Sequence, residues 1–485
     1  MHKYIKQIFS CIMVIIITLV MFNATANIVE RKESVVKNQD FILEKQNIDV
    51  LFLGTSHVIN GVYPMELWDD YGIVSYNLAG HSTPIATSYW VLKNALDYTK
   101  PKVVVIDCLD IRNVIKVSDN FDYTHICFDV FPLSLTKIQA CNDLLEGNTE
   151  HSKWDLLFPF SQYHNRWNQL TSEDFKVEYN CEKGAEMRVD LVSPLYFDKI
   201  PSEQKITEDT LAMEYLEKII TECNEQGIEV LLTYLPFPAE PFYQEEANKV
   251  YDIAEEYGVD YINFLDMNIV NYETDCYDEA SHLNPSGARK VTDYLGQYIM
   301  DNYDVQDQRS NEDYRGWTAE YEEYQKKKDE ILTGIENPYV YMALLTDNNY
   351  NVVIEVTNKE ILLDEKLCVL FENLGMDRKK AADAEYILLN NQDGTIDYLT
   401  EDQLRDGGIS TCIGLFEKNW YSESNYHISV DDNVYYDVLV SDDEWQDMRT
   451  MVIDNRTKKL VESMYYMHIE DENIEWDTVL CRVNE

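Results

Sequence analysis

IDVLFLGTSHVINGVYPMELWDDYGIVSYNL, residues 48–78, decides how the rest of the chain is read. Residues 49–53 form a short, mostly apolar run stopped at Gly54, the pattern of a strand buried on both faces of a parallel sheet and feeding a tight turn. Ser56 then falls at the carboxyl end of that strand, the edge where ligands collect in open α/β sheets. Taken alone, Thr55 and Ser56 also read as the cap of a helix. Residues 64–71 carry a helical pattern, and 73–78 a second strand that ends in Ala79-Gly80-His81-Ser82-Thr83-Pro84.

Working outward, residues 102–107 (KVVVID), 228–234 and 259–264 repeat the buried-strand pattern, and 85–97, 207–226 and 241–257 have helical periodicity between them. Five strands with intervening helices predict a flavodoxin-like three-layer α/β/α domain on a parallel sheet. Right-handed crossovers bring the strand ends to one edge. Downstream lies DEASHLNPSGA, residues 278–288, followed by an amphipathic run over 289–300. A histidine on a loop before a closing helix, with a carboxylate just ahead, can be oriented by that carboxylate while its other ring nitrogen serves a serine.

Together the Gly54-Thr55-Ser56 turn and the His282 loop resemble the SGNH/GDSL hydrolase superfamily, over residues 48–302. The resemblance implies Ser56 as nucleophile, His282 as base, and the N–H groups of Ser56 and Gly80 as oxyanion donors. Strict Asp-x-x-His spacing lands on Glu279; Asp278 lies one residue further and takes the role if the loop is bulged. His57 and Asn77 join Gly80 as oxyanion or substrate-binding candidates. Where many relatives carry Gly-x-Asn-Asp, this chain has Asp107-Cys108-Leu109-Asp110 and lacks the asparagine donor. That departure brings it nearer the exported DltD-like subgroup, which works with membrane-bound O-acyltransferases, so such a protein is the partner the resemblance implies.

Residues 117–200 interrupt the βα rhythm with an aromatic and polar insertion, long enough to be a cap. Within Leu157-Phe158-Pro159-Phe160-Ser161-Gln162-Tyr163-His164-Asn165-Arg166-Trp167, His164 and Arg166 are candidates for contacting an acceptor or glycan; the alternative is an internally packed cap with a salt-bridged arginine.

Composition bounds the partners. The chain has 485 residues with 40 Lys+Arg against 88 Asp+Glu, a formal charge of −48 that repels phosphate backbones and excludes nucleic acid as a natural partner. Lys3 and Lys6 precede an almost wholly apolar run over 8–22, so residues 1–26 read as a signal peptide, cleaved near Ala26, or as a retained signal anchor. Either places the bulk of the chain outside the cytoplasmic membrane, with 27–47 as a stalk or first helix. None of the ten cysteines sits in a C-x-x-C pair, so no structural metal is expected.

Residues 303–335 are polar and helix-prone, a linker to a smaller β-rich α+β domain over 336–485. Strands are expected at 350–356, 384–390, 433–441 and 448–455, and a helix over 363–374 stopped by Gly375. The strand before Asn358, the helix through Phe371-Glu372-Asn373-Leu374-Gly375, Tyr386-Ile387-Leu388-Leu389 and Met451-Val452-Ile453-Asp454 resemble the interleukin-like EMT inducer family of β-rich domains, some of which bind carbohydrate.

The expected function is therefore an exported serine acyl esterase or O-acyltransferase acting on a cell-surface polysaccharide or teichoic-acid-like polymer. It needs no cofactor, because Ser-His acyl transfer uses neither metal nor nucleotide. A secreted carbohydrate esterase and a non-catalytic glycan-binding protein on the same scaffold are the alternatives.

Overall fold

Apolar runs bounded by Gly and Pro become the layers of the first half of the chain. The computed structural model describes residues 2–29, 40–158, 160–175, 180–279, 282–421, 425–439, 447–469 and 479–480. It divides the chain into two units: Met1–Glu186, Tyr196–Asn268 and Val291–Tyr321 form the first, and Met187–Leu195, Ile269–Lys290 and Glu322–Glu485 the second. Part of the expected stalk, at 30–39, lies outside the described residues, as do Pro159 of the cap and the end of the 433–441 strand.

In the first unit, β1 (Val50–Leu53), β2 (Ser75–Asn77), β3 (Val103–Asp107), β4 (Glu229–Tyr234) and β5 (Asp260–Asn263) form a five-stranded sheet in the order β2-β1-β3-β4-β5. Every pairing is parallel. This is the flavodoxin-like order the strand pattern predicts, and right-handed crossovers in it put helices on both faces. β1 and β3 are buried throughout, which is why their sequences are unbroken apolar runs rather than alternating ones.

Register sets the turn after β1. Leu53 pairs with Ile106, so Gly54 comes against Asp107. Gly54 has φ +147°, and a Cβ there would lie 2.6 Å from Val58 Cγ2 and 2.9 Å from Asp107 Cβ, so only glycine lets the chain turn this tightly.

The 117–200 insertion is a cap of short pieces: helices Phe121–Phe128, Leu135–Leu144, Lys153–Leu157 and Phe160–Tyr163, then single turns at His164–Asn168 and Glu173–Phe175. The N-terminal helix His2–Val29 contains an apolar stretch, Tyr4–Ala26, of 23 residues and mean hydropathy 2.4, long and apolar enough to cross a membrane. A signal sequence has the same character.

The second unit is the β-rich part. β13 (Met448–Asp454) and β6 (Tyr350–Val356) are central in a five-stranded antiparallel sheet ordered β14-β13-β6-β7-β8, with β7 (Tyr386–Asn390), β8 (Thr395–Leu399) and β14 (Leu460–Tyr466). A four-stranded sheet holds β9 (Ile409–Thr411), β10 (Gly414–Trp420), β11 (Asn425–Val430) and β12 (Asn433–Leu439). The expected helix appears as Glu365–Asn373. β8 to β11 and β14 were not expected: their mixed polar sequences hide the alternation that would announce them. The nine described cysteines are free thiols.

Between these layers Glu355 is buried with Arg449 and Lys418 as ion-pair partners, and it accepts hydrogen bonds from the hydroxyls of Tyr386 (2.8 Å) and Tyr426 (2.9 Å). Burial alone would raise its carboxyl; Arg449 and Lys418 overcome that and hold it below the usual glutamate range. A carboxyl depressed on folding stabilises the native state above its unfolded pKa and loses that contribution as pH falls through the folded value. Removing one partner strands a buried charge, so Arg449→Met is expected to cost about 3–5 kcal/mol in urea unfolding at pH 7. In Glu355→Gln the loss of stability on acidification below about pH 4 should be shallower than in the parent.

Candidate active site

Ser56 opens the helix Ser56–Gly61 directly after β1, at the carboxyl edge of the sheet. Thr55 is the N-cap, its side chain accepting the His57 N–H, so the capping role falls to Thr55 and not to Ser56. Ser56 and His57 are half-buried, and the His57 ring lies 4.9 Å from that of Phe237, beyond β4.

So short a helix cannot hold its own place, and three side-chain and backbone clamps do it instead. Buried Asn77 donates its amide to the carbonyls of Val58 (2.8 Å) and Val62 (3.1 Å) and accepts the N–H of Ala79 (3.2 Å). Asn60 donates to the Glu186 carbonyl (2.9 Å), and the Glu186 N–H returns to Ile59 O (3.0 Å). The same segment covers the open edge of β2, where the Asn77 N–H donates to Lys183 O (2.9 Å).

Two candidates from the sequence change role here. Asn77 has both amide hydrogens and its oxygen committed to backbone, so it positions the Ser56 helix instead of touching substrate. Gly80 extends the β1–β2 pairing: its N–H donates to Gly54 O at 3.1 Å and is thereby engaged as an oxyanion donor would not be. The glycine is needed for close approach, since a Cβ would lie 2.2 Å from Cys127 Sγ and 2.3 Å from Thr83 Oγ1. His81, which follows it and was not singled out in the sequence, has Nε2 3.5 Å from Glu186 Oε1.

His164 and Arg166 belong elsewhere. Arg166 donates to the carbonyl of Val29 (2.7 Å) and to Asp174 (3.0 Å), tying the end of the N-terminal helix to the cap, and exposed His164 lies 6.3 Å ring to ring from Phe160 on that same surface. A salt-bridged arginine in an internally packed cap is thus what the structure shows for Arg166.

His282 sits in the second unit, on a tight hairpin closed by the Cys276–Leu283 bridge and by Tyr277 N–H to His282 O (3.0 Å). Asp278 takes both handles of the histidine: Oδ1 accepts its backbone N–H (3.0 Å), and Oδ2 meets ring Nδ1 at 2.8 Å. Glu279, first choice on spacing, is exposed. An ionised Asp278 can only accept, which puts the proton on Nδ1 and leaves the lone pair of the ring on Nε2. The Tyr277 ring stacks on His282 at 5.7 Å.

The hairpin is held from below by residues the sequence reading missed. Fully buried Asp275 accepts from Ser286 Oγ (2.8 Å), Lys290 Nζ (2.6 Å) and Asn271 N–H (2.8 Å). Asn284, quoted above only within DEASHLNPSGA, accepts the N–H groups of Ser286 (3.0 Å) and Gly287 (3.3 Å) and donates to Thr274 O (2.9 Å). The polar run Ser286-Gly287-Ala288-Arg289-Lys290 opening a helix was the available signal.

Beside Gly54, the edge of the sheet holds carboxyls that burial keeps from ionising. Asp107 is pushed up to about 7 by burial, against hydrogen bonds from the N–H groups of Leu235 (2.8 Å) and Leu109. Glu246 is pushed up to about 8, first by burial and then by Asp110, while the Tyr234 hydroxyl donates to it at 3.2 Å.

No family model matches this sequence, and no curated protein matches it. Among solved structures, a Bacteroides fragilis protein described as an acylhydrolase matches with TM-score 0.27 at 9% identity, over 55% of this chain and 94% of its own. An acetyl xylan esterase from the rumen bacterium Butyrivibrio proteoclasticus matches with TM-score 0.21 at 9% identity, over 53% of this chain and 65% of its own. Likenesses of this size carry nothing about function.

Two measurements check the edge. Asn77→Ala removes the side-chain donor from the Val62 carbonyl and leaves Val58 O with the Val62 N–H alone, and is expected to cost about 1–3 kcal/mol in urea unfolding. A carboxyl raised on folding binds its proton longer in the native state, so stability falls as pH climbs from about 4 through about 7 for Asp107. In Asp107→Asn, thermal melts from pH 4 to 8 should show a shallower decline than in the parent.

Proposed function

We propose that the chain is an exported, membrane-anchored serine acyl esterase or O-acyltransferase of the SGNH type, with Ser56 as nucleophile, His282 as general base and Asp278 as the orienting acid. The observation that supports this reading is the Asp278–His282 pair, whose 2.8 Å contact at Nδ1 orients the imidazole as a general base requires. Ser56 at the carboxyl end of β1 supports it from the other side. In this mechanism Nε2 removes the Ser56 proton as Oγ attacks an acyl carbonyl, the acyl group passes to Oγ, and the same proton returns to the leaving alcohol. A second alcohol or water then reverses the sequence. Transfer and hydrolysis differ only in that acceptor.

The acyl group is read as one carried by a cell-surface polysaccharide or teichoic-acid-like polymer, with a membrane-bound O-acyltransferase as partner. The acidic surface disfavours polyanions without charge masking, so a neutral glycan suits it better. Exposed Trp420 and Tyr421 at the end of β10 supply faces on which sugar rings could stack. A non-catalytic glycan-binding role is the second reading, and the engaged Gly80 amide favours it because it leaves one oxyanion donor fewer.

A fluorophosphonate probe separates the two. Covalent labelling of Ser56, abolished in Ser56→Ala and reduced at least tenfold in His282→Ala and Asp278→Asn but not in Glu279→Gln, is the expected mass-spectrometric result. Folded protein that takes up no label, alone or with the acyltransferase present, would leave the binding role.

A further inference from the structure

The end of the N-terminal helix is built into the cap. Ala26 and Val29 are buried, the ring of Phe22 meets that of Phe160 edge-on at 4.7 Å, and Arg166 donates to Val29 O at 2.7 Å. Contacts run from this helix to Phe160–Tyr163, His164–Asn168 and Glu173–Phe175. By contrast, the large apolar side chains described from Tyr4 to Phe22 are exposed. At 1.5 Å per residue that stretch is about 28 Å long, close to the roughly 30 Å thickness of a bilayer core. If it crosses a membrane, the hydrocarbon boundary falls near Phe22, at the level of the cap elements that touch it.

Those elements and the helix next to them carry large aromatic side chains facing outward: Trp154 is 57% exposed, Phe158 46%, Trp167 71% and Phe175 65%. Trp154 and Phe158 stack on each other at 5.9 Å, so they form one apolar face. Aromatic rings of this kind gather where hydrocarbon meets headgroups, because the ring is apolar while its edge tolerates water. Attraction to anionic lipid cannot seat this face, given a formal charge of −48.

We propose that Trp154, Phe158, Trp167 and Phe175 form a collar that enters the outer-leaflet headgroup region of the phospholipid bilayer around the base of the N-terminal helix. The inference rests on reading that helix as a retained anchor. The collar fixes the height and tilt of the first unit over the membrane.

The test uses the full chain reconstituted in phosphatidylcholine vesicles whose acyl chains are brominated at either a shallow or a deep position. Tryptophan fluorescence should be quenched more by the shallow label. The Trp154→Phe, Trp167→Phe double variant should lose most of that quenching while still floating with the vesicles, and raising the salt should change neither result. Trp420, Trp445 and Trp476 are replaced by Phe in both proteins compared, so buried Trp68, Trp90 and Trp317 supply the unquenched background. Protein that floats without quenching, or whose quenching survives in the double variant, overturns the collar and leaves the anchor standing. Protein that does not float overturns both, while labelling of Ser56 would be unaffected.

Discussion

The side-chain amide of Asn77 is the contact on which the serine edge depends. The helix that begins at Ser56 is too short to stabilise itself, and its last carbonyls would face a buried, waterless interior. Asn77 satisfies two of them from β2 and uses its oxygen to hold the chain leaving that strand. Gly54 supplies the complementary constraint from β1, because the approach to Val58 and Asp107 leaves no room for a side chain. One amide and one missing methyl group therefore set where Ser56 can be.

The histidine is positioned by a different device. Asp278 holds both the backbone and the ring of His282, so the orientation of the imidazole is fixed by the same carboxylate that stabilises the turn. Beneath it, Asp275 collects a hydroxyl, an ammonium and a backbone N–H, and Asn284 caps the helix that follows. A preorganised base needs such support, since a ring free to rotate would forfeit much of its advantage. The support is made of buried polar groups, most of whose partners are near in the chain, with Asn373 and the Asp190 carbonyl added from far along it.

Charge is arranged in the same way throughout. An excess of acidic residues covers the surface, while buried Glu355 and Asp347 are paired with cations and buried Asp107 and Glu246 are raised. Glu355 is held ionised by Arg449 and Lys418. Burial would raise Asp347 too, but Arg289 and Lys328 overcome it and hold that carboxyl well below the usual range. Burial prevails at Asp107, and Arg112 alone does not offset burial and Asp110 at Glu246, so both move the other way. The difference lies in how many cations burial brings alongside each group, not in the groups themselves.

The sequence by itself determined the parallel sheet and its five strands, because strands buried on both faces must be apolar runs and right-handed crossovers restrict how they connect. It also determined that Ser56 follows the first of them, that Gly54 is a turn, and that β6, β7 and β13 of the second unit are strands. It could not choose between Asp278 and Glu279, since spacing along a chain says nothing about where a hairpin reverses. Nor could it show that Asn77 and the Gly80 N–H bond the backbone, or that Arg166 holds the carbonyl of Val29, 137 residues away along the chain. Each of those outcomes depends on which unsatisfied donor or acceptor lies across a fold contact, and only the tertiary structure decides that.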